Sequence, residues 1–455
     1  MSNVDDVTGA EDERGHRPAW FRFAPFLGRA PALTRRQWRV LGLVSIVSLF
    51  EQYDVYLFAL NLKRIQADLA IAEASLGLLG SLVRAGALLA FPVALMADRL
   101  GRRRILLFTI LAYTLCTGAT ALAPNAMTFV AFQFLARVFA AAETVIAVVV
   151  VAEEFDAAHR GWGVGALGAL QACGAGLAAL AFGFVDRVPF GWRSLFALGL
   201  VPLVLVAYLR RSLSETTRFL ELSRAAESSP ATATSERIAP GSGARGPALR
   251  AAPALAPVVA LARSYPGRIV LLALSVIAFE VAAGPALFFA PKFLEDVHGF
   301  HPAQIAALNI VGGALAIVGN PLAGRLSDRF GRRPVTAAFA LGAVAAVATF
   351  YLWRGGAVWP LWIAQVFAIM GTGVTLATYG AELFPTPVRS TASGLRELCR
   401  HGAGALGLAL VSLLYAGAGS NWTAIAWLAV VALVTPALVL LAFPETAGRP
   451  LEEIA

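Results

Sequence analysis

The chain alternates long apolar runs with short polar stretches. The runs are about 20 residues each, the length a helix rising about 1.5 Å per residue needs to cross about 30 Å of hydrocarbon. Twelve such runs occur, at 38–60, 74–96, 105–123, 127–152, 162–184, 194–211, 268–290, 304–326, 334–353, 357–381, 393–417 and 421–443. The pattern predicts an all-α membrane protein whose twelve transmembrane helices divide at the one long gap. Residues 1–37 read as an N-terminal tail, 38–211 as a six-helix bundle, 212–267 as a linker, 268–443 as a second six-helix bundle and 444–455 as a C-terminal tail. The linker stretch AESSPATATSERIAPGSGARGPALR has the composition of a flexible connector. The first apolar run is too long for the core of a cleaved leader, so no cleavage is expected.

Composition and charge narrow this further. Charged residues make up 14% of the 455 positions, where a soluble domain carries about 25%, and the mean hydropathy is +0.70. A water-soluble enzyme is thereby excluded. The net charge of +9 would suit a nucleic-acid partner, but its distribution points elsewhere. With twelve spans both termini share one side; counting residues near a span end with the loop they adjoin, that side and the linker hold 29 of the 37 Lys and Arg, the other side six, and two lie deep inside spans. This bias predicts cytoplasmic termini and linker in a bacterial cytoplasmic (inner) membrane and no nucleic-acid partner. Lys63 and Lys292, the only lysines, both fall on the outer side. Trp38, Trp162, Trp192, Trp353, Trp359 and Trp422 sit near span ends and read as interfacial anchors. Cys116, Cys173 and Cys399 lack CxxC spacing, so no disulfide framework and no metal site is expected.

The two bundles repeat each other. ALMADRLGRRR at 94–104 returns as GRLSDRFGRR at 324–333, with Asp98 mapping to Asp328; Glu153 and Arg160 return as Glu382 and Arg389; Glu215 returns as Glu445. These offsets are 229 or 230. Six-span repeats have equal orientation and enclose a central site near mid-membrane, the geometry alternating access requires.

Six charges stand inside the spans, where each costs about 2.5–3.5 kcal/mol on insertion scales. They are Glu51 and Asp54 in span 1, Arg84 in span 2, Arg137 and Glu143 in span 4, and Glu280 in span 7. Glu51 and Asp54 share a helix face, whereas Arg137 and Glu143 cannot pair well within one helix. Glu280 occupies the place in the second half that Glu51 holds in the first. Four acids against two bases leave carboxylates over, and these, Asp54, Glu51 and Glu280, are candidate proton carriers. A fixed ion-pair lattice is the competing reading. Arg84, Arg137 and Glu143, with the polar Tyr53, Gln133, Gln171 and Tyr379, are candidates to bind substrate; Gln52, Asn309 and Gln365 are further polar positions in spans. Interhelical hydrogen bonding explains most of the uncharged ones equally well. Asp98 and Arg102, Asp328 and Arg332, Glu153 and Arg160, and Glu382 and Arg389 read as gating networks on the cytoplasmic side, with inside-positive topology as the alternative. His401, near the start of span 11, reads as a packed residue rather than a proton relay.

The paired loop motifs resemble the signature between the second and third helices of the major facilitator superfamily. FEQYDVYLFAL at 50–60 and AETVIAVVVVAEEFDAAHRG at 142–161 resemble its metabolite:proton symporter branch, and YGAELFPTPVRSTASGL and FPETAGRPLEEI are similar to sugar-porter motifs. The chain departs from these patterns at Ala94, where a Gly is usual, and at Gln133, where the branch places an arginine one turn before Arg137. The resemblance implies the major facilitator fold and proton-coupled symport of a small metabolite, an organic anion given the buried arginines. It implies a monomer in the lipid bilayer with no cofactor, driven by the proton gradient. A sugar or polyol porter is the alternative that the C-terminal motif favours. A drug-efflux antiporter ranks lower because span 5 lacks a proline, and a non-transporting sensor on the same scaffold is also conceivable. No nucleophile triad, metal-ligand spacing or phosphate loop suggests an enzyme.

Overall fold

The computed structural model describes residues 17–90, 92–93, 96, 102–156, 159–210, 256–385 and 388–448. The first half comprises α1 (Arg35–Leu60), α2 (Leu62–Asp68), α3 (Leu76–Ala85), α4 (Arg102–Ala121), α5 (Ala126–Glu154), α6 (Arg160–Phe182) and α7 (Trp192–Arg210). The second comprises α8 (Ala256–Ser264), α9 (Pro266–His298), α10 (Pro302–Phe330), α11 (Arg332–Leu352), α12 (Val358–Glu382), α13 (Arg389–Ala418), α14 (Asn421–Val431) and α15 (Val434–Leu441). No strand occurs among the described residues. Ten described segments are long and apolar enough to cross a membrane: α1, α4, α5, α6, α9 to α13, and the stretch Asn421–Leu441 that holds α14 and α15. The other two predicted spans fall on α3, which continues into a 3-10 turn at Gly86–Leu89, and on α7.

The helix ends follow local chemistry. Thr34 caps α1 in a reciprocal box, accepting from the Gln37 backbone at 3.2 Å while the Gln37 side chain accepts from the Thr34 N–H at 3.0 Å. Asn125 and Ser420 cap α5 and α14 through Thr128 and Thr423. Gly299 and Gly419, both left-handed, end α9 and α13.

Each half packs on itself, α1 against α6 and α4 against α5 in the first, α9 against α13 and α11 against α12 in the second. Between halves, α3 meets α13 and α6 meets α10. These two seams are spans 2 with 11 and 5 with 8, which exchange under the sequence repeat. The α3–α13 seam is close: a Cβ on Gly77 would overlap the Leu408 carbonyl oxygen, and the Leu78 N–H donates to Ser412 Oγ at 2.8 Å.

The ends of the halves differ. α1 and α9 finish side by side, where Lys63 pairs with Asp296 at 2.8 Å and Arg64 with Glu295 at 3.0 Å. Lys292 adds Glu73 at 3.3 Å, and Asn421 donates to Glu73 at 3.0 Å. Arg64 also holds Asp186 at 2.9 Å. This end is therefore closed by charge pairs that cross from one half to the other. α9 runs eight residues past the predicted span end at 290, because Lys292, Glu295 and Asp296 keep helical register while facing these partners.

At the opposite end, which carries the starts of α1 and α9, the pairs seen among the described residues run within each half. Arg36 holds Glu154 at 2.9 Å in the first. In the second, Arg332 pairs with Glu382 at 2.8 Å and Asp328 at 2.6 Å, Thr446 donates to Glu382 at 2.6 Å, and the backbone N–H groups of Arg332 and Arg333 donate to Glu445 at 2.7 and 3.1 Å.

Three expectations change. Within the predicted linker, 256–264 is helical and buries Leu261, while 211–255 lies outside the described residues. In the predicted tail, Trp20 and Phe21 pack edge-on against Trp38, which also meets Trp162. Three of the six tryptophans read as interfacial anchors are core residues: Trp38, Trp192 and Trp422 are buried, Trp192 donates to Asp68 at 3.1 Å, and Trp422 stacks on Tyr351. Trp353 and Trp359 are the exposed ones.

Candidate functional site

A cavity opens between the halves, lined by Glu51, Asp54, Val55 and Phe58 of α1, Gly80, Val83 and Arg84 of α3, Tyr113 of α4, and Gln133, Ala136, Arg137 and Ala140 of α5, with Phe288 of α9 and Leu408 of α13. Its lining is mixed. Glu51, Asp54, Arg84, Arg137 and Gln133 supply charge and an amide, while Val55, Phe58, Val83, Phe288 and Leu408 supply apolar surface. Phe58 and Phe288 meet edge-on across the halves, ring centres 5.1 Å apart.

On α1, the shared face expected of Glu51 and Asp54 is observed, and both are buried. Glu51 Oε1 lies 4.0 Å from Arg137 Nη1, and Thr144 donates its hydroxyl to Oε2. At that distance the attraction is about 4 kcal/mol for an effective dielectric constant of about 20, offset in large part by desolvation. Asp54 is held differently: Tyr113 and Thr117 donate to Oδ2, the latter at 3.0 Å, and no arginine among the described residues forms an ion pair with it. Its other oxygen, Oδ1, is buried without a hydrogen-bond partner among the described residues. A Cβ on Gly199 of α7 would stand 3.3 Å from it.

Arg84 leaves its own half to pair with Glu280 of α9, Nη2 to Oε2 at 3.5 Å. Glu143 is fully buried and accepts from Thr109 at 2.9 Å. Gln133 lines the cavity and donates to Thr120 at 3.2 Å.

Other predicted residues are placed elsewhere. Tyr53 is buried with its hydroxyl given to the Leu195 carbonyl at 2.9 Å, so it joins α1 to α7 and does not line the cavity. Gln171, half-buried on α6, is not part of the lining. Tyr379 sits near the end of α12, against Phe443 and the Pro444 carbonyl. Run length alone carries no information on depth, which is why these three read as cavity residues.

Of the gating candidates, Asp328, Arg332 and Glu382 come together, with Glu382 bound to Arg332 and Thr446 rather than to Arg389, which opens α13. Glu153 is half-buried in the last turn of α5, and Arg102 and Arg160 begin α4 and α6. Asp98 lies outside the described residues.

A second cluster was missed. On α13, Arg400 donates to Glu397 at 2.6 Å, Arg396 also donates to Glu397, and Arg400 lies 3.3 Å from the ring of His401. Arg400 is in electrostatic reach of Glu280, Arg84 and Arg137. The sequence reading assigned these arginines to the cytoplasmic side, since polar residues interrupt the run there. The spacing 396, 397, 400 was the available signal: positions three and four apart share a helix face. With them the interior charges become five acids, Glu51, Asp54, Glu143, Glu280 and Glu397, against four arginines.

Comparison with known proteins decides the family. The sequence matches the Major Facilitator Superfamily over residues 44–407. The chain belongs to this superfamily. It is 26% identical over 428 residues to a Haemophilus influenzae protein described as a metabolite transport protein, covering 91% of this chain and 98% of that one. It is 25% identical over 362 residues to the cis,cis-muconate transport protein of Acinetobacter baylyi, covering 78% and 83%. Its fold is similar to that of the inward-open xylose transporter of E. coli, with a TM-score of 0.70 and 17% identity over 92% of this chain and 99% of that one. The protein is therefore a multi-pass integral membrane transporter of the major facilitator fold, built to bind a small molecule.

Proposed function

We propose that this transporter is a proton-coupled symporter for a small organic anion with a flat apolar body, working as a monomer by alternating access without a cofactor. The observation that carries this is the mixed lining of the cavity: two arginines stand among two phenylalanines and aliphatic side chains, a few polar groups in a largely apolar pocket. Guanidinium groups match a carboxylate with paired donors, which a neutral sugar does not need. Arg137 and Arg84 bind the carboxylate; Phe58 and Phe288 cover the apolar body. Of the amides and phenols that would favour a sugar, Gln133 and Tyr113 line the cavity, the latter with its hydroxyl given to Asp54, while Gln171 and Tyr379 do not.

Proton coupling rests on Asp54 and Glu51. Asp54 is a buried carboxylate with one oxygen held by two hydroxyls and the other unpartnered among the described residues. An unpartnered buried oxygen is where a proton removes a cost of about 1–3 kcal/mol or more. The excess of Lys and Arg at the end bearing the α1 start supports placing that end in the cytoplasm of a bacterial inner membrane. The end closed by Arg64–Glu295 and Lys63–Asp296 then faces outward, and the cavity faces inward.

Labelled benzoate in proteoliposomes tests the reading. An acidic exterior should drive accumulation above the equilibrium level, and Asp54→Asn should keep benzoate exchange while losing that accumulation. Uphill accumulation by Asp54→Asn would remove Asp54 from the coupling role.

A further inference from the structure

Arg84 belongs to the first half by sequence and to the second by contact. Its guanidinium lies in a slot formed by Gly284 of α9 and Gly404 of α13. A Cβ on Gly404 would overlap the guanidinium carbon, and one on Gly284 would come within 3.2 Å of Nη1. The slot depends on the missing side chain at Gly404 and is narrow at Gly284, on two helices of the opposite half. At its end stands Glu280, 3.5 Å from Nη2. That is longer than the roughly 2.7–2.9 Å of a tight charge-assisted bond, so the pair is loose enough to be replaced. Arg84 also lines the cavity.

We infer that Arg84 is an exchangeable clasp: Glu280 holds it in the empty carrier and so ties the halves at mid-membrane, and the substrate carboxylate takes it from Glu280 and releases that tie. The anion's identity rests on the function proposed above; the tie does not. The neighbours make the exchange inexpensive. Glu280 faces Arg84 from α3 and Arg396, Glu397 and Arg400 from α13. Arg84 faces Tyr56 from α1, Arg137 from α5 and Arg400. When Arg84 turns to a substrate, Glu280 keeps the arginines of α13 and its charge is not stranded. Arg137 differs in this respect, since its carboxylate partner, Glu51, belongs to its own half. Occupancy of the site is thus communicated between halves through Arg84.

The clasp makes the empty carrier slower to reorient than the loaded one. In wild-type proteoliposomes, benzoate exchange should outrun net benzoate uptake. Glu280→Gln removes the competitor and the tie, so benzoate should bind about fivefold tighter, near 1 kcal/mol, and the gap between exchange and net uptake should shrink. Gly404→Ala evicts Arg84 from its slot and should also close that gap, without depending on a changed carboxylate. A ligand-free arm uses spin labels at Ala72→Cys and His301→Cys, exposed positions at the closed end, with the native cysteines replaced. There Glu280→Gln and Gly404→Ala should each add a longer-distance population that the parent lacks. If both variants keep the parent distance distribution and the parent ratio of exchange to net uptake, the clasp is refuted. If the wild type neither binds nor moves benzoate, the proposed substrate class fails and the spin-label distances still decide the clasp.

Discussion

Asp54 and Glu51 lie one turn apart on α1, yet their surroundings give them different chemistry. Glu51 has a cation partner in Arg137, whereas Asp54 has, among the described residues, hydroxyl donors on one of its two oxygens. Removing those donors should therefore change coupling more than binding. Tyr113→Phe leaves Thr117 alone on Oδ2, and proton-driven accumulation should fall while benzoate affinity changes by less than about twofold, the scale of a few tenths of a kcal/mol. Uptake and equilibrium binding on the same preparation check this; a loss of affinity with intact coupling would place Tyr113 at the substrate instead. Glu51, Asp54, Arg84 and Arg137 were legible in the sequence because a charge inside an apolar run has few reasons to be there. Tyr53 sits between two of them in sequence but points to the Leu195 carbonyl, since adjacent helical positions face different ways. Arg400 and Glu397 escaped notice because the sequence near the start of α13 is already polar.

At the scale of elements, the helices decide what can move. The α3–α13 seam depends on Gly77, and Gly77→Ala would press a methyl group onto the backbone of α13. Overpacking of this kind costs about 1–3 kcal/mol. The closed end should be destabilised, and the spin-label pair at Ala72→Cys and His301→Cys should report a longer separation; an unchanged distance with full thermal stability would show that the seam absorbs the methyl. The C-terminal segment is a second device. Glu445 is partly buried, which opposes its ionisation, but N–H donors of Ala447, Arg332, Arg333 and Thr446 outweigh this and hold its carboxyl below the usual glutamate range. Its contribution is present at neutral pH and is lost as pH falls through that lowered value. Thermal unfolding should show Glu445→Gln less stable than wild type at neutral pH and equal to it in strong acid; a deficit that persisted in acid would mean that packing, not charge, docks the segment. The repeat offset had marked Glu445 as the partner of Glu215, but not its position at the start of α11, because a repeat gives equivalence and not contact.

The whole molecule is closed at one end by Arg64–Glu295, Lys63–Asp296 and Lys292–Glu73, each joining one half to the other. Sequence alone gave the two-bundle plan, the central cavity and the internal repeat, because hydrophobic length and charge are written locally. It did not give this closure, which needs residues about 230 positions apart to meet across an interface; the scarcity of basic residues on that side was the only hint. Glu295→Ala leaves Asp186 of the first half as the carboxylate partner of Arg64 among the described residues and should loosen the closed end. The central claim is coupling of an organic anion to protons through one cavity. Its most direct test is a pH-sensitive dye trapped in proteoliposomes while benzoate is added outside without any imposed gradient, against protein-free vesicles as baseline. Interior acidification above that baseline should run in step with labelled benzoate entry and be abolished by Asp54→Asn; benzoate entry above baseline with no protein-dependent acidification would rule out coupling to protons.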